Sequence, residues 1–92
     1  MGETLADNRV SVVVPVYNEV DTIATIIAQI RAVEGLELEL IVVDDGSTDG
    51  TRDALESLSG QIDHLVLHPQ NQGKGAALRT GFQHATGSIA LV

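Results

Sequence analysis

The sequence predicts an α/β domain of three layers, a mainly parallel sheet with helices on both faces, amounting to one half of a doubly wound fold. Two observations lead there. The run "VSVVVPV" is almost continuously β-branched, which suits a strand covered on both faces rather than one. Behind it, segments of strand length alternate with segments carrying a helical stripe, in the order βαβαβαβ. That alternation implies parallel strands joined by right-handed crossovers.

The first strand is Val10–Val16, and Pro15 cannot donate to a ladder, so pairing is expected to stop about there. Apolar residues then fall at Val20, Ile23, Ile26, Ile27, Ile30 and Val33, the stripe of an amphipathic helix. Asn18 with Asp21 resembles a capping box, and Gly35 is the expected stop. "LELELIVV" alternates before becoming fully apolar, as in a strand that enters the core partway along. Ser47 or Thr48 is expected to cap a second helix with Ala54, Leu55 and Leu58 inward and Gly60 at its end. "IDHLVLH" reads as the third strand. "GKGAALRTGFQHA" places Ala77, Leu78, Gly81, Phe82 and Ala85 on one face of a third helix, stopped by Gly87, and "SIALV" is the fourth strand. No repeat, linker or low-complexity segment interrupts the chain, so residues 1–92 form one domain portion.

Composition excludes several functions. A net charge of -8, from 13 acidic and 5 basic residues, opposes nucleic-acid binding, which needs a basic face, and opposes a polybasic membrane patch. With no cysteine there is neither a disulfide framework nor a thiolate metal site, as fits a cytoplasmic protein. "MGETLADNR" lacks the apolar core of a signal peptide or anchor. No apolar run approaches the roughly 18 residues of a membrane span.

Three loops, "PVYNE", "DDGSTDG" and "HPQNQGKG", follow strand carboxyl ends and are expected to converge on one edge, where such sheets bind ligands. Tyr17 can stack on a nucleobase or pack over the sheet edge. Glu19 can take ribose hydroxyls or favour the positive end of the first helix, and by itself the helix-end role is preferred. Asp44 is expected to accept N–H groups of the following turn, with Ser47 in support. Asp45 is expected to face the cleft, since adjacent strand residues point oppositely. A pair facing opposite ways does not make a Mg²⁺ site. "GKG", Gly73 to Gly75, opens the third helix where amides and dipole favour an anion, and Lys74 adds a charge. Neither a P-loop nor "GxGxxG" is present. His64, His68 and His84 lack ligand spacing and read as surface or strand-end residues.

"VSVVVPVYNEVDTI", "IVVDDGSTDGT" and "NQGKGAALRTGFQHATG", in this order and spacing, resemble family two glycosyltransferases, and among these the polyprenol-phosphate sugar synthases. The resemblance runs from Val10 to Val92. It implies the nucleotide-binding half of a GT-A (Rossmann-like) fold, in an inverting enzyme that moves a hexose from a UDP- or GDP-sugar to an acceptor such as a polyprenyl phosphate. It further implies that Pro15, Tyr17 and Glu19 line a nucleoside pocket, that Val43 and Asp45 contact the base, and that Lys74 lies beside the nucleotide. The Mg²⁺ or Mn²⁺ of such enzymes binds an Asp-x-Asp motif expected beyond Val92, as are the acceptor region and the catalytic base. These 92 residues are therefore expected to be inactive alone. They are also expected to self-associate through the apolar "SIALV" edge, and in the longer protein to work in the cytoplasm or at the cytoplasmic face of a membrane. The competing reading is a non-catalytic nucleotide-binding or interaction module. A response-regulator receiver fits less well, because its acidic pair should follow the first strand and not the second.

Overall fold

The structure, a computed structural model, describes residues 9–92; the expectation for the amino-terminal segment before Arg9 lies outside them. Strand β1 is Arg9–Val16, helix α1 Ile23–Arg31, β2 Glu37–Asp44 and α2 Thr51–Ser57. A 3₁₀ turn at Ser59–Gln61 leads into β3, His64–Leu67, followed by α3, Lys74–His84, and β4, Ser88–Leu91. All pairings are parallel and the strand order is β3-β2-β1-β4. The chain thus steps outward from β1 to β3 and then crosses back to place β4 on the other side of β1. Strand order reverses between β1 and β4, and there the crossover helices part to leave a crevice.

Side-chain parity assigns each strand residue to a layer. Val12, Val14 and Val16 of β1 and Leu40 and Val42 of β2 pack on Ile23 and Ile27 of α1 and Leu55 of α2. Their neighbours Val13, Ile41 and Val43 face the opposite way, onto Ala77 of α3. Helix α3 presents its smallest residues to the sheet, and a Cβ at Gly81 would collide with Val13, so this glycine sets how closely the helix lies.

Several local expectations are corrected. Pairing of β1 with β2 continues through Pro15 to Val16, because the missing N–H of Pro15 is on the β4 side, where pairing in the described residues reaches only Val13. No capping box forms at Asn18 and Asp21. Helix α1 begins at Ile23, two residues after Asp21, and Asn18 is drawn into another loop. Neither Ser47 nor Thr48 caps α2; Gly50 holds the cap position without a side-chain cap, and Asp49 before it accepts the Thr51 N–H at 3.0 Å. The helix then ends in the 3₁₀ turn rather than on a left-handed Gly60. Helix α1 stops at Arg31, short of Gly35. The outer members of two apolar stripes, Val20 and Val33 around α1 and Phe82 in α3, are exposed.

Candidate functional site

A cleft of about 400 Å³ opens at the carboxyl ends of β1 and β4, within the roughly 300–1,000 Å³ usual for small-molecule sites. Pro15, Tyr17, Glu19, Asp45, Asn71 and Lys74 line it. The three loops expected to converge do so, and each is fixed by hydrogen bonds to another.

The loop after β1 hangs on the loop after β2. Asn18 N–H donates to Ser47 Oγ at 2.9 Å, while its own Oδ1 accepts Thr48 N–H at 2.8 Å. Asn18 takes φ 53°, a left-handed conformation that asparagine tolerates better than most residues. Glu19 N–H donates to Thr51 Oγ1 at 2.9 Å, and Val20 N–H to Asp49 Oδ2 at 3.3 Å. The Thr51 hydroxyl and backbone N–H, with the Val20 N–H, hold the Asp49 carboxyl below its ordinary range against the opposing effect of burial. These bonds leave the Tyr17 ring 45% exposed at the cleft mouth. Glu19 serves the helix start as well as lining the cleft, since its carbonyl accepts Ile23 N–H and its carboxylate accepts the Thr22 hydroxyl.

Asp44 and Asp45 face opposite layers, as strand parity requires. Asp44 is fully buried on the α2 side; its Oδ2 accepts Ser47 N–H at 3.2 Å and pairs with Arg52 at 3.1 Å. Its other oxygen, Oδ1, is buried and has no hydrogen-bond partner among the described residues. Arg52 also donates to the His68 carbonyl, so it fastens the β2 and β3 loop starts together. Gly46 lets the loops meet: it has φ +77°, and a Cβ there would drive into the backbone of Gln70 and Asn71.

Asp45 borders the cleft but is only 3% exposed. Its carboxylate accepts Gln72 N–H on Oδ1 and Gly73 N–H on Oδ2, both at 2.9 Å. The buried His68 ring puts Nδ1 2.9 Å from Asp45 Oδ1 and Nε2 2.9 Å from Thr80 Oγ1 on α3. Burial alone pushes the Asp45 carboxyl up, but His68 and the two amides together outweigh it and hold the group below its ordinary value. The carboxylate thus sets where α3 begins and where Lys74, exposed on the first turn, meets the cleft.

Val43 is fully buried, packed with Val13, Ile41 and Ala77 on the α3 side of the sheet. His68 stands at the end of β3, one of its two expected places, but it is buried there and links β3, Asp45 and α3. Sequence reasoning gave Asn18 only a capping role and passed over Asp49, Thr51, Asn71 and Thr80. The spacing of Asp49 and Thr51 before a helix was a readable signal of an Asx cap. Nothing local marked His68 or Thr80, whose partners are distant in sequence.

A parallel 3-2-1-4 half-sheet with a loop-built cleft at its switch point is one half of a doubly wound α/β fold. The model of glycosyl transferase family 2 matches residues 11–92, and the chain belongs to that family. An uncharacterised glycosyltransferase of Nostoc sp. is 34% identical over 83 residues, covering 88% of this chain and 26% of that protein. The mannosyltransferase PcManGT from Pyrobaculum calidifontis, solved with GDP-Man and Mn²⁺, is 37% identical with a TM-score of 0.79, over 88% of this chain and 25% of that one. TarS of S. aureus, residues 1–349 with UDP-GlcNAc, is 27% identical with a TM-score of 0.80, over 91% and 26% respectively. These neighbours have the GT-A fold, and the chain spans about a quarter of their length.

A divalent cation such as the Mn²⁺ of the PcManGT structure does not fit the two aspartates seen here. Asp45 is already committed to three donors, and Asp44 lies on the other face against Arg52. Among the described residues no cluster of three His, Asp or Glu side chains is placed to hold a metal, and no helix is long and apolar enough to cross a membrane.

Proposed function

We propose that the cleft binds the nucleotide of a UDP- or GDP-sugar, as the donor half of an inverting hexosyltransferase whose acceptor is a polyprenyl phosphate. The observation that carries this reading is the convergence of an exposed aromatic ring, a held carboxylate and a helix-start lysine in one switch-point cleft. Tyr17 covers the base, Asp45 accepts from its edge, Glu19 takes ribose hydroxyls against Pro15, and Lys74 with the start of α3 faces the diphosphate. Asp44 and Ser47 support the turn and touch no ligand. The acceptor assignment rests on the motif resemblance to polyprenol-phosphate sugar synthases, which would place the longer protein at the cytoplasmic face of a membrane.

The residues present bind and orient the donor. On this reading no residue of the chain is given a metal-binding or catalytic-base role, so these 92 residues bind donor without turning it over. It also pairs with itself. Ile89, Leu91 and Val92 are 50%, 56% and 59% exposed along β4, whose outer edge is unpaired among the described strands, an arrangement that invites another strand.

Isothermal titration with UDP, GDP and their sugars tests the reading. Saturable binding that weakens in Asp45→Ala and Tyr17→Ala supports it, and the absence of any nucleotide binding overturns it. Light scattering across the micromolar range tests the self-association, which a stable monomer would refute.

A further inference from the structure

Asp45 meets the cleft with most of its accepting capacity already spent. A carboxylate offers about four lone-pair positions, two on each oxygen. Oδ1 faces both Gln72 N–H and His68 Nδ1 at 2.9 Å, and Oδ2 accepts Gly73 N–H at 2.9 Å. One position remains, on Oδ2. The carboxyl is held in its ionised form by these donors, so Nδ1 of His68 must carry a proton toward it. With Nδ1–H turned to the carboxylate, Nε2 lies 2.9 Å from the Thr80 hydroxyl on α3, which can either donate or accept there. The ring is 7% exposed and cannot swing aside without leaving these partners.

We propose that this arrangement, with His68 as the positioning residue, makes the cleft prefer a base that presents a single ring N–H between two carbonyls, as uracil does, over guanine. The proposal rests on the cleft being a nucleotide site and goes on to name the base. Guanine presents its N1–H and 2-amino group side by side, a pair that a carboxylate answers with one open position on each oxygen. Oδ1 has none, so guanine must either leave a donor unmatched or displace Gln72 or His68. Uracil needs only the one position on Oδ2, and the Asn71 amide on the cleft wall is available to a flanking carbonyl. Cytosine turns a lone pair toward the carboxylate and is repelled. The fold itself admits guanine nucleotides, since PcManGT was solved with GDP-Man, so discrimination here is a matter of side chains and not of the fold.

The test is titration of the full chain with UDP, GDP and CDP, with thermal melting to confirm that each variant is folded. UDP is expected to bind about tenfold more tightly than GDP, the effect of one unmatched hydrogen bond, with CDP weakest. His68→Leu removes a donor and opens Oδ1, so the UDP-to-GDP ratio should fall toward one. His68→Asn, whose amide can replace Nδ1–H, should retain it. A general loss of structure would lower both affinities without equalising them, so the ratio separates positioning from mere support. GDP binding as tightly as UDP in the wild type overturns the proposal while leaving the donor-site reading intact, and so does a folded His68→Leu with an unchanged ratio. Binding of no nucleotide at all defeats both. Should His68→Leu not fold, the wild-type ratio and the His68→Asn ratio still decide.

Discussion

Glu39 near the start of β2 and Asp45 just past its end lie on the same face of the sheet, and the two carboxylates differ in what stands beside them. Glu39, Ile41, Val43 and Asp45 share the parity that faces α3, with two apolar residues between two acids. Glu39 holds the segment leaving α3: its Oε1 accepts the Ser11 hydroxyl at 2.7 Å and both the N–H and the hydroxyl of Thr86 at 3.0 Å. Ser11 Oγ in turn accepts Gly87 N–H at 2.8 Å, and His64 lies 3.4 Å from the second oxygen of Glu39. Asp45 holds the segment entering α3 through Gln72, Gly73 and His68. One strand thus clamps both ends of one helix. At the amino end the donors come from the chain itself and serve the fold. At the carboxyl end the clamp stands beside a cleft, with an acceptor position to spare and an exposed ring and lysine nearby. The same chemistry serves the fold at one end and, on the donor-site reading proposed above, ligand presentation at the other, where the loops at the carboxyl ends of the strands bring Tyr17 and Lys74 to the same cleft.

Breaking the amino-end clamp should have the largest effect on stability. Glu39→Ala strips several donors of their acceptor at once and is expected to cost about 2–4 kcal/mol, read by urea denaturation, with nucleotide affinity unchanged in the folded protein.

The pH dependence of stability sharpens the same contrast. Burial raises the Glu39 carboxyl, but the Ser11 hydroxyl, Thr86 and His64 bring it down from 4.5 to about 2. A carboxyl depressed on folding contributes stability that is fully present above its unfolded value and lost as pH falls through its folded one. Acid melts should therefore show stability falling between about pH 5 and pH 2, and Glu39→Gln should flatten that fall. Asp45 is depressed in the same direction, so a shallower dependence should survive in that variant.

At the carboxyl end, Asp45→Ala should weaken nucleotide binding about tenfold. It should also lower stability by about 1–3 kcal/mol, since the acceptor for Gln72, Gly73 and His68 is lost. If its affinity equalled that of the wild type, the acceptor role at this end would be refuted. Tyr17→Ala should have the smallest effect. The exposed ring contributes little to folding, so stability should change by no more than about 0.5 kcal/mol. Binding should fall about two- to tenfold, the range for a stacked ring. Paired denaturation and titration curves check both.

Much of this was legible in sequence. Four strands, three helices and the loops that build the cleft follow from apolar periodicity and turn chemistry, and so do the opposite directions of Asp44 and Asp45. These depend on neighbouring residues, where sterics and side-chain parity act over a few positions. The sequence by itself therefore determined the element order, the opposite facing of Asp44 and Asp45, and the convergence of the three loops at one edge of the sheet. The tertiary structure decided the rest. It placed β4 beside β1, enclosed Val43, left Phe82 in solvent, set Asp49 rather than Ser47 at the start of α2, and brought His68 and Thr80 to Asp45. A buried polar group takes whichever partner the packed strands bring within reach. That choice depends on sheet order and register across distant segments, which short-range patterning does not encode.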